Sequence, residues 1–343
     1  MNNRFIVNGV LRGEDETVID IRAFLYPIYH LNESFMIDAQ ALSEEKKTET
    51  GNVLRPTTII DMVPNVGAFF NTVTQEIHIN FGQLMMLVSF GSLEKLYINL
   101  AKENKFIDED ILYSINLNNI VDEFYKNLVD LDLIYQQGVV STFFQTDYVS
   151  SDMYDIMVGF IYGHEANHFA EANLKSDIIN KDYNYIFGII RKYIYNFRDK
   201  LMFIKDEHIL MLNDIMYSGN LCFYKNWIEE ASADYHAYKN LYKLYIEYAG
   251  YELGKLNLAV SMVFCSMRLM AFYFENFMDY KIRLDEYLTP SMRTDILGEI
   301  VRNEFCENIP EEKFYCSDWG VYKIMDILFT RILDELLVKT QTM

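Results

Sequence analysis

The sequence is poor in cysteine, proline and positive charge, and these shortages exclude several classes of protein. None of the four cysteines belongs to a CxxC pair, and a chain of 343 residues needs no disulfide bonds for stability, so we expect a reducing, cytoplasmic location. The formal net charge of −20 repels nucleic-acid phosphates and anionic lipids, so we expect neither as a general partner. The first residues also lack the long apolar core of a signal peptide.

A long uninterrupted apolar run is missing as well. The most apolar stretch, Leu258 to Phe274, approaches the length of a membrane span but contains Arg268, which lipid disfavours. We therefore interpret this stretch as a buried core helix and expect no stable membrane insertion. No repeat is found, and nothing in the sequence indicates an oligomeric state.

Helical spacing of apolar residues dominates the sequence after residue 84. It predicts helices at about 84–103, 119–135, 153–175, 222–249, 253–281, 291–305 and 321–338. The five prolines all lie outside these segments, so none interrupts a helix. Two β-like runs precede them, Val66–Phe70 and Glu76–Phe81, and the short polar turn between the runs predicts a hairpin. The sequence thus predicts a mainly α fold with a small N-terminal β portion (α+β).

The segment GHEANH, residues 163–168, is the most informative motif. On a helix His164 and His168 lie one turn apart on the same face, so their imidazoles can bind one metal ion. Glu165 is turned about 100° away, where it can meet a metal-bound water instead of binding the metal. The pattern predicts a zinc centre with the two histidines as ligands and Glu165 as the general base.

A tetrahedral catalytic zinc needs a third protein ligand and one open position. The helical run WIEEASAD, residues 227–234, supplies the candidates. Glu230 and Asp234 are four residues apart on one face, so Glu230 would bind zinc while Asp234 hydrogen-bonds a ligand histidine. Glu229 competes with Glu230, but its spacing of five places it on a different face from Asp234. We therefore predict Glu230 as the third ligand.

Two other interpretations of these motifs stay open. The sequence from Glu165 to His168 is also an ExxH, as found in di-iron carboxylate bundles, but such sites need a second ExxH. None is present, since the residue three before His236 is Ala233. A catalytically inactive zinc-binding regulatory or structural protein is the other alternative. A purely structural site needs no general base, so the presence of Glu165 argues against it.

HEANH followed by EEASAD resembles the HExxH…ExxxD pattern of the gluzincin zinc metallopeptidases. The segment PNVGAF at residues 64–69 and the strand after it are similar to the Ste24/HtpX-type members of that group. The segment TPSMR at residues 289–293 is similar to their late Pro-Ser-Arg segment, with Thr289 where those proteins usually have histidine. In size and motif position the chain is more similar to the phage-exclusion proteases of the Lit family.

The resemblance implies a zincin-like catalytic core in which the HExxH helix is joined by a second ligand-bearing helix. It implies a zinc-dependent endopeptidase that acts on a protein or peptide substrate, in a phage-defence or prophage setting. It also implies that the strand at 76–81 pairs with an extended substrate. We accordingly expect a segment at 1–55, with a strand at 4–12, packed on the core, a metallopeptidase domain at 56–305 and a C-terminal helical extension at 306–343.

Overall fold

The computed structural model describes residues 27–28, 30–31, 37–38, 53–54, 56–61, 67–103, 107–137, 147–174, 183–193, 221–278, 289–305 and 320–341. Within these ranges the chain is mainly helical with a small N-terminal three-stranded mixed sheet, which confirms the predicted fold class. The strand predicted at residues 4–12 lies outside the described residues. The three-part division of the chain stays a prediction.

Short strands lie ahead of the helices: β1 (Ile37–Asp38), β2 (Val53–Leu54), β3 (Thr57–Asp61), β4 (Ala68–Asn71) and β5 (Glu76–Asn80). β1 and β2 pair antiparallel. In the three-stranded sheet, β3 runs parallel to β5 and β4 runs antiparallel to it. The predicted hairpin is therefore confirmed as β4 and β5, whereas β3 was not predicted.

β5 occupies the middle of the three-stranded sheet. Its residues alternate as predicted, and Ile77 and Ile79 are fully buried. Because β3 and β4 pair with its two edges, β5 has no free edge for a substrate, and the expectation that the strand at 76–81 pairs with one is wrong. β4 is an edge strand of this sheet, and its Phe69 is 47% exposed.

The helices are α1 (Phe81–Val88), α2 (Gly91–Glu103), α3 (Glu109–Ser114), α4 (Asn118–Gln137), α5 (Ser151–Asn173), α6 (183–193), α7 (Leu221–Leu241), α8 (Leu253–Phe277), α9 (Pro290–Glu304) and α10 (Gly320–Gln341). A π-helical segment, Tyr242–Tyr248, continues α7. Each predicted helical segment coincides with one or two of these elements, while α3 and α6 were not predicted.

The segment predicted as one helix at 84–103 is two helices, and the first ends at Val88. A distant backbone segment crosses at this break. Gly91 donates its N–H to the carbonyl of Asp147 at 2.9 Å, and Val149 donates to the carbonyl of Val88 at 3.1 Å. A Cβ atom on Gly91 would overlap the Asp147 carbonyl oxygen, so glycine is required for this close approach. Local periodicity cannot reveal a break that a distant segment imposes.

α5 and α7 pack closely side by side. A Cβ atom on Gly163 would lie 3.3 Å from the Cα of Ala237, and one on Gly159 would lie 2.9 Å from the side chain of Leu241. Gly159 of α5 lies against Leu241 of α7, and the later Gly163 lies against the earlier Ala237, so the two helices are antiparallel. This contact places the motif of α5 directly opposite the acidic run of α7.

α8 contains the stretch interpreted as a buried core helix, and most of it is buried. Its Arg268 donates to Asp326 at 2.9 Å and to Thr330 at 2.7 Å, both on α10. By length and composition alone, Phe81–Glu103 and Leu253–Phe277 could each cross a membrane, but 61% and 83% of their apolar windows are buried inside the protein. Packing within the fold therefore accounts for the apolar composition of α8.

Candidate metal centre

Two helices bring three metal-binding side chains together. α5 presents His164 and His168 one turn apart, and α7 presents Glu230 opposite them. The two imidazole Nε2 atoms are 3.1 Å apart. One carboxylate oxygen of Glu230 lies 3.4 Å from Nε2 of His164, and the other lies 3.6 Å from Nε2 of His168. Ligand atoms of all three residues lie within 4.8 Å of one another.

These separations fit a single tetrahedral ion. Ligand atoms that surround an ion at about 2.0–2.1 Å in tetrahedral geometry are about 3.3 Å from one another, close to the three distances observed. Two imidazoles and one carboxylate are a donor set that zinc and related divalent metals accept. The three residues therefore form a largely buried group that could hold a metal ion.

His164 is held by a buried ion pair. Its Nδ1 lies 2.9 Å from Asp234, which is 1% exposed. Arg293 of α9 donates to both carboxylate oxygens of Asp234, at 2.6 and 2.8 Å. A carboxylate at Nδ1 favours the tautomer that carries its hydrogen there, which leaves the lone pair of Nε2 facing Glu230. Asp234 therefore lies where it can orient His164, as expected for a ligand histidine.

His168 faces a second carboxylate, but at a greater distance. Its Nδ1 is 3.8 Å from Glu171, which is beyond hydrogen-bond range. Glu171 is itself held by Asn167, whose amide donates at 3.0 Å, and by the hydroxyl of Tyr183 at 3.1 Å. Each histidine therefore has a carboxylate on the side away from the metal-binding group.

Two carboxylates and the guanidinium of Arg293 lie close together around the group. Burial alone would raise the pKa of the Glu230 carboxyl, but the charge of Arg293 and the neighbouring imidazoles hold it well below its usual range. Burial acts on Asp234 in the same direction, and its ion pair with Arg293 lowers its pKa as well. Both carboxylates are therefore ionised, and Arg293 stabilises them.

The carboxylates also act on both imidazoles. Burial and the charge of Arg293 lower the pKa of His164, but Asp234 and Glu230 outweigh these effects and raise it. Burial likewise lowers the pKa of His168, whereas Glu171 and Glu230 raise it to about 10. Groups that attract a proton this strongly also attract a divalent cation, and proton and cation compete for the same nitrogens.

Glu165 lies beside the metal-binding group without belonging to it. It is 7% exposed, and it lines the same cavity as His164, His168 and Glu230. Burial raises the pKa of its carboxyl above the usual range, and the two imidazoles only partly offset this effect. A buried carboxyl with a raised pKa therefore lines the same cavity as the metal-binding group.

Glu229, the competing ligand candidate, does not join the group. Its carboxylate pairs with Lys225 at 3.3 Å, and both residues line the cavity. In the described part of the chain, the residues that gather as a metal-binding group are His164, His168 and Glu230.

The TPSMR segment starts α9 and brings Arg293 to the site. Thr289 accepts a hydrogen bond from the N–H of Met292 at 3.2 Å, and Pro290 lies in the first turn. Thr289 therefore caps the start of α9. This is the position where the Ste24/HtpX-type peptidases usually have histidine.

A cavity of about 810 Å³ opens beside the metal-binding group. β4 borders it with Ala68, Phe69 and Phe70, and one face of α8 forms another wall. A volume of this size is typical of ligand-binding clefts. The metal-binding group therefore lies where a ligand can reach it.

Sequence reasoning missed Glu171, Tyr183 and the cavity face of α8. Glu171 could have been found, because a residue three positions after His168 lies beside it on a helix. Tyr183 and α8 reach the site only through tertiary packing, for which the sequence holds no local signal.

No family model, curated protein or solved structure matches this chain.

Proposed function

We propose that this protein is a zinc-dependent endopeptidase that hydrolyses a peptide bond in a protein substrate. His164, His168 and Glu230 bind the metal, and Glu165 is the general base. The observation that carries the proposal is the convergence of two imidazoles and one carboxylate in a cavity that Glu165 also lines. A site that only stabilises the fold has no use for a buried carboxylate that faces the cavity without being a ligand.

Zinc, when bound, supplies a Lewis acid that lowers the pKa of a coordinated water and polarises the scissile carbonyl. The protein's own side chains orient the ligands. Asp234 fixes the tautomer and ring position of His164, and Glu171 faces the Nδ1 of His168. Such partners behind the ligands would hold the hydrogen on Nδ1 and leave Nε2 for the metal when the metal is bound.

Glu165 moves the proton in the proposed reaction. Its carboxylate takes a proton from the attacking water as the new C–O bond forms. It then gives that proton to the amide nitrogen as the C–N bond breaks, so the products are a carboxylic acid and an amine. A general base works best when its pKa lies near the working pH, and burial moves the pKa of Glu165 in that direction.

The substrate main chain fits along β4 rather than β5. Gly67 accepts a hydrogen bond from the N–H of Asn80 at 3.0 Å, so its peptide group faces β5. Peptide groups alternate along a strand, so those of Ala68 and Phe70 face the opposite edge. Both of these residues line the cavity. An extended peptide can add to this edge and cross the metal-binding group.

We extend the proposal to a cytoplasmic protease of phage defence or of a prophage, which acts on a protein substrate. This protease neither inserts stably into a membrane nor binds nucleic acid. The net charge of −20 supports the absence of nucleic-acid binding, and the burial of α8 supports the absence of stable membrane insertion.

Glu165→Gln tests the proposal. Glutamine keeps the size of the side chain and removes the proton acceptor. We expect zinc stoichiometry, measured by metal mass spectrometry, and the unfolding midpoint to stay close to wild type. Peptide hydrolysis should fall at least ~100-fold, the usual scale of acid–base catalysis. Because the substrate is unknown, a proteome-wide comparison of cleaved N-termini first identifies cleavage by the wild-type protein.

Glu229→Gln is the matched control, since it makes the same chemical change on the wall of the same cavity. It should keep both zinc and activity. Full activity of Glu165→Gln would overturn the proposed mechanism. Loss of zinc from Glu165→Gln would indicate that Glu165 is a metal ligand. If the zinc-loaded wild type cleaved no protein, a non-catalytic zinc protein would be favoured.

A further inference from the structure

The cavity beside the metal-binding group has two chemically different ends. Because α5 and α7 are antiparallel, the last turns of α5 lie beside the start of α7. Polar and charged side chains line this end: Glu171, Tyr183, Lys225 and Glu229. One turn before His164 the lining changes to apolar, beginning with Phe160 and Ile161 of α5. The metal-binding group lies between the two ends.

α8 supplies most of the apolar wall. Phe160 packs edge-on against Phe264 at a ring separation of 5.6 Å, which fixes α8 against the helix that carries His164. Four cavity-lining side chains recur on α8 with the spacing of one helical face: Met267, Met270, Ala271 and Phe274. Gln83 also lines the cavity, and Arg293 lies at the metal-binding group.

Three of these four side chains are partly exposed. Met267, Ala271 and Phe274 are only partly buried where they border the cavity, and Met270 beside them is 5% exposed. Met267 and Phe274 pack against the core on one side and leave apolar surface open toward the cavity on the other. Covering it with another apolar group is favourable, because apolar surface then leaves water.

We propose that this apolar end binds a large apolar side chain of the substrate beside the scissile bond. The enzyme then selects residues such as leucine, methionine or phenylalanine at that position. The polar end rejects such a side chain, since covering Glu171 and Glu229 with apolar groups would remove their hydration. The inference rests on the proposed peptidase function and adds the class of residue that the cavity recognises.

The test compares two hydroxamates on the zinc-loaded full-length protein. Acetohydroxamate carries only the metal-binding group, whereas 3-phenylpropanohydroxamate adds a benzyl group that can reach the apolar end. We expect the second compound to bind about 10- to 100-fold tighter by calorimetric titration, the gain expected from burying one aromatic ring.

Ala271→Phe fills the apolar end, and Ala172→Phe makes the same change at the polar end, where Ala172 is exposed and also lines the cavity. Ala271→Phe should lose most of the preference for the benzyl compound while keeping its affinity for zinc and acetohydroxamate. Ala172→Phe should keep the preference. Met267→Gln, at a partly exposed position, provides a second variant of the apolar wall and should also weaken the preference.

Equal affinity of the wild type for both hydroxamates would overturn the inference and leave the metal site intact. An equal loss of preference in Ala271→Phe and Ala172→Phe would also overturn it. Failure of the wild type to bind zinc or acetohydroxamate would instead overturn the proposed function on which the inference rests.

Discussion

The surroundings of His164 and His168 differ, although both histidines lie on one helix and both Nε2 atoms lie near the carboxylate of Glu230. The carboxylate behind His164 belongs to Asp234, is 2.9 Å from Nδ1, and is fixed by Arg293. The carboxylate behind His168 belongs to Glu171 of the same helix and is 3.8 Å from Nδ1. The side chain of His164 is 9% exposed and that of His168 is 20% exposed.

The difference separates a histidine that is fixed by distant segments from one that can adjust. The position of His164 depends on side chains from α7 and α9, so moving it disturbs a buried ion pair. His168 depends on a neighbour within α5, at a distance that leaves room for adjustment. We therefore expect changes behind His164 to affect both folding and metal binding, and changes behind His168 to affect mainly metal binding.

The largest effect is expected for Asp234→Ala. It leaves the guanidinium of Arg293 buried without its main partner, and removing one member of a buried ion pair costs about 3–5 kcal/mol of unfolding free energy. Zinc affinity should also fall about 10- to 100-fold, because His164 loses its orienting partner. Urea denaturation and competition against a zinc-chelating dye measure the two effects.

Asp234→Asn is the control for this prediction, since it keeps the shape of the side chain and removes its charge. Its losses should lie between those of the wild type and Asp234→Ala. Wild-type stability and wild-type zinc affinity in Asp234→Ala would show that the ion pair does not hold His164.

A smaller effect is expected for Arg293→Lys. Lysine keeps the positive charge but cannot bind both oxygens of Asp234 as the planar guanidinium does. We expect a loss of about 1–3 kcal/mol of unfolding free energy, the usual result of an incompletely satisfied buried group, and a fall in zinc affinity of about 10-fold. The same titrations apply, and Arg302→Lys, at an exposed position of α9, should change neither quantity.

The smallest effect is expected for Glu171→Gln. The amide oxygen can still accept the hydrogen bond of Asn167, and the amide NH2 can donate to the hydroxyl oxygen of Tyr183. The long contact with His168 provides little orientation to lose. Zinc affinity should fall less than about 10-fold, with no measurable change in unfolding free energy. A loss as large as that of Asp234→Asn would contradict the distinction between the two histidines.

The parts of the protein that sequence alone could predict are those governed by local spacing. The i, i+4 pairs of α5 and α7 predicted which side chains share a face, and the structure brings the residues of both pairs together. The pairing of β5 on both edges, the break after α1 and the apolar wall of α8 depend on contacts between distant segments. No periodicity within one segment can encode a partner that lies elsewhere in the chain.

The hydrogen bonds of Arg293 determine when the site can be completed during protein synthesis. Arg293 follows His164 by 129 residues, so the ribosome must extend the chain well beyond the HExxH helix before the ion pair behind His164 can form. At usual elongation rates this takes roughly 6–26 s. A nascent or prematurely terminated chain that ends before α9 therefore carries the metal-binding group without Arg293, whose charge stabilises the carboxylates of Glu230 and Asp234. The order of residues along the chain thus delays completion of the site until most of the polypeptide has been made.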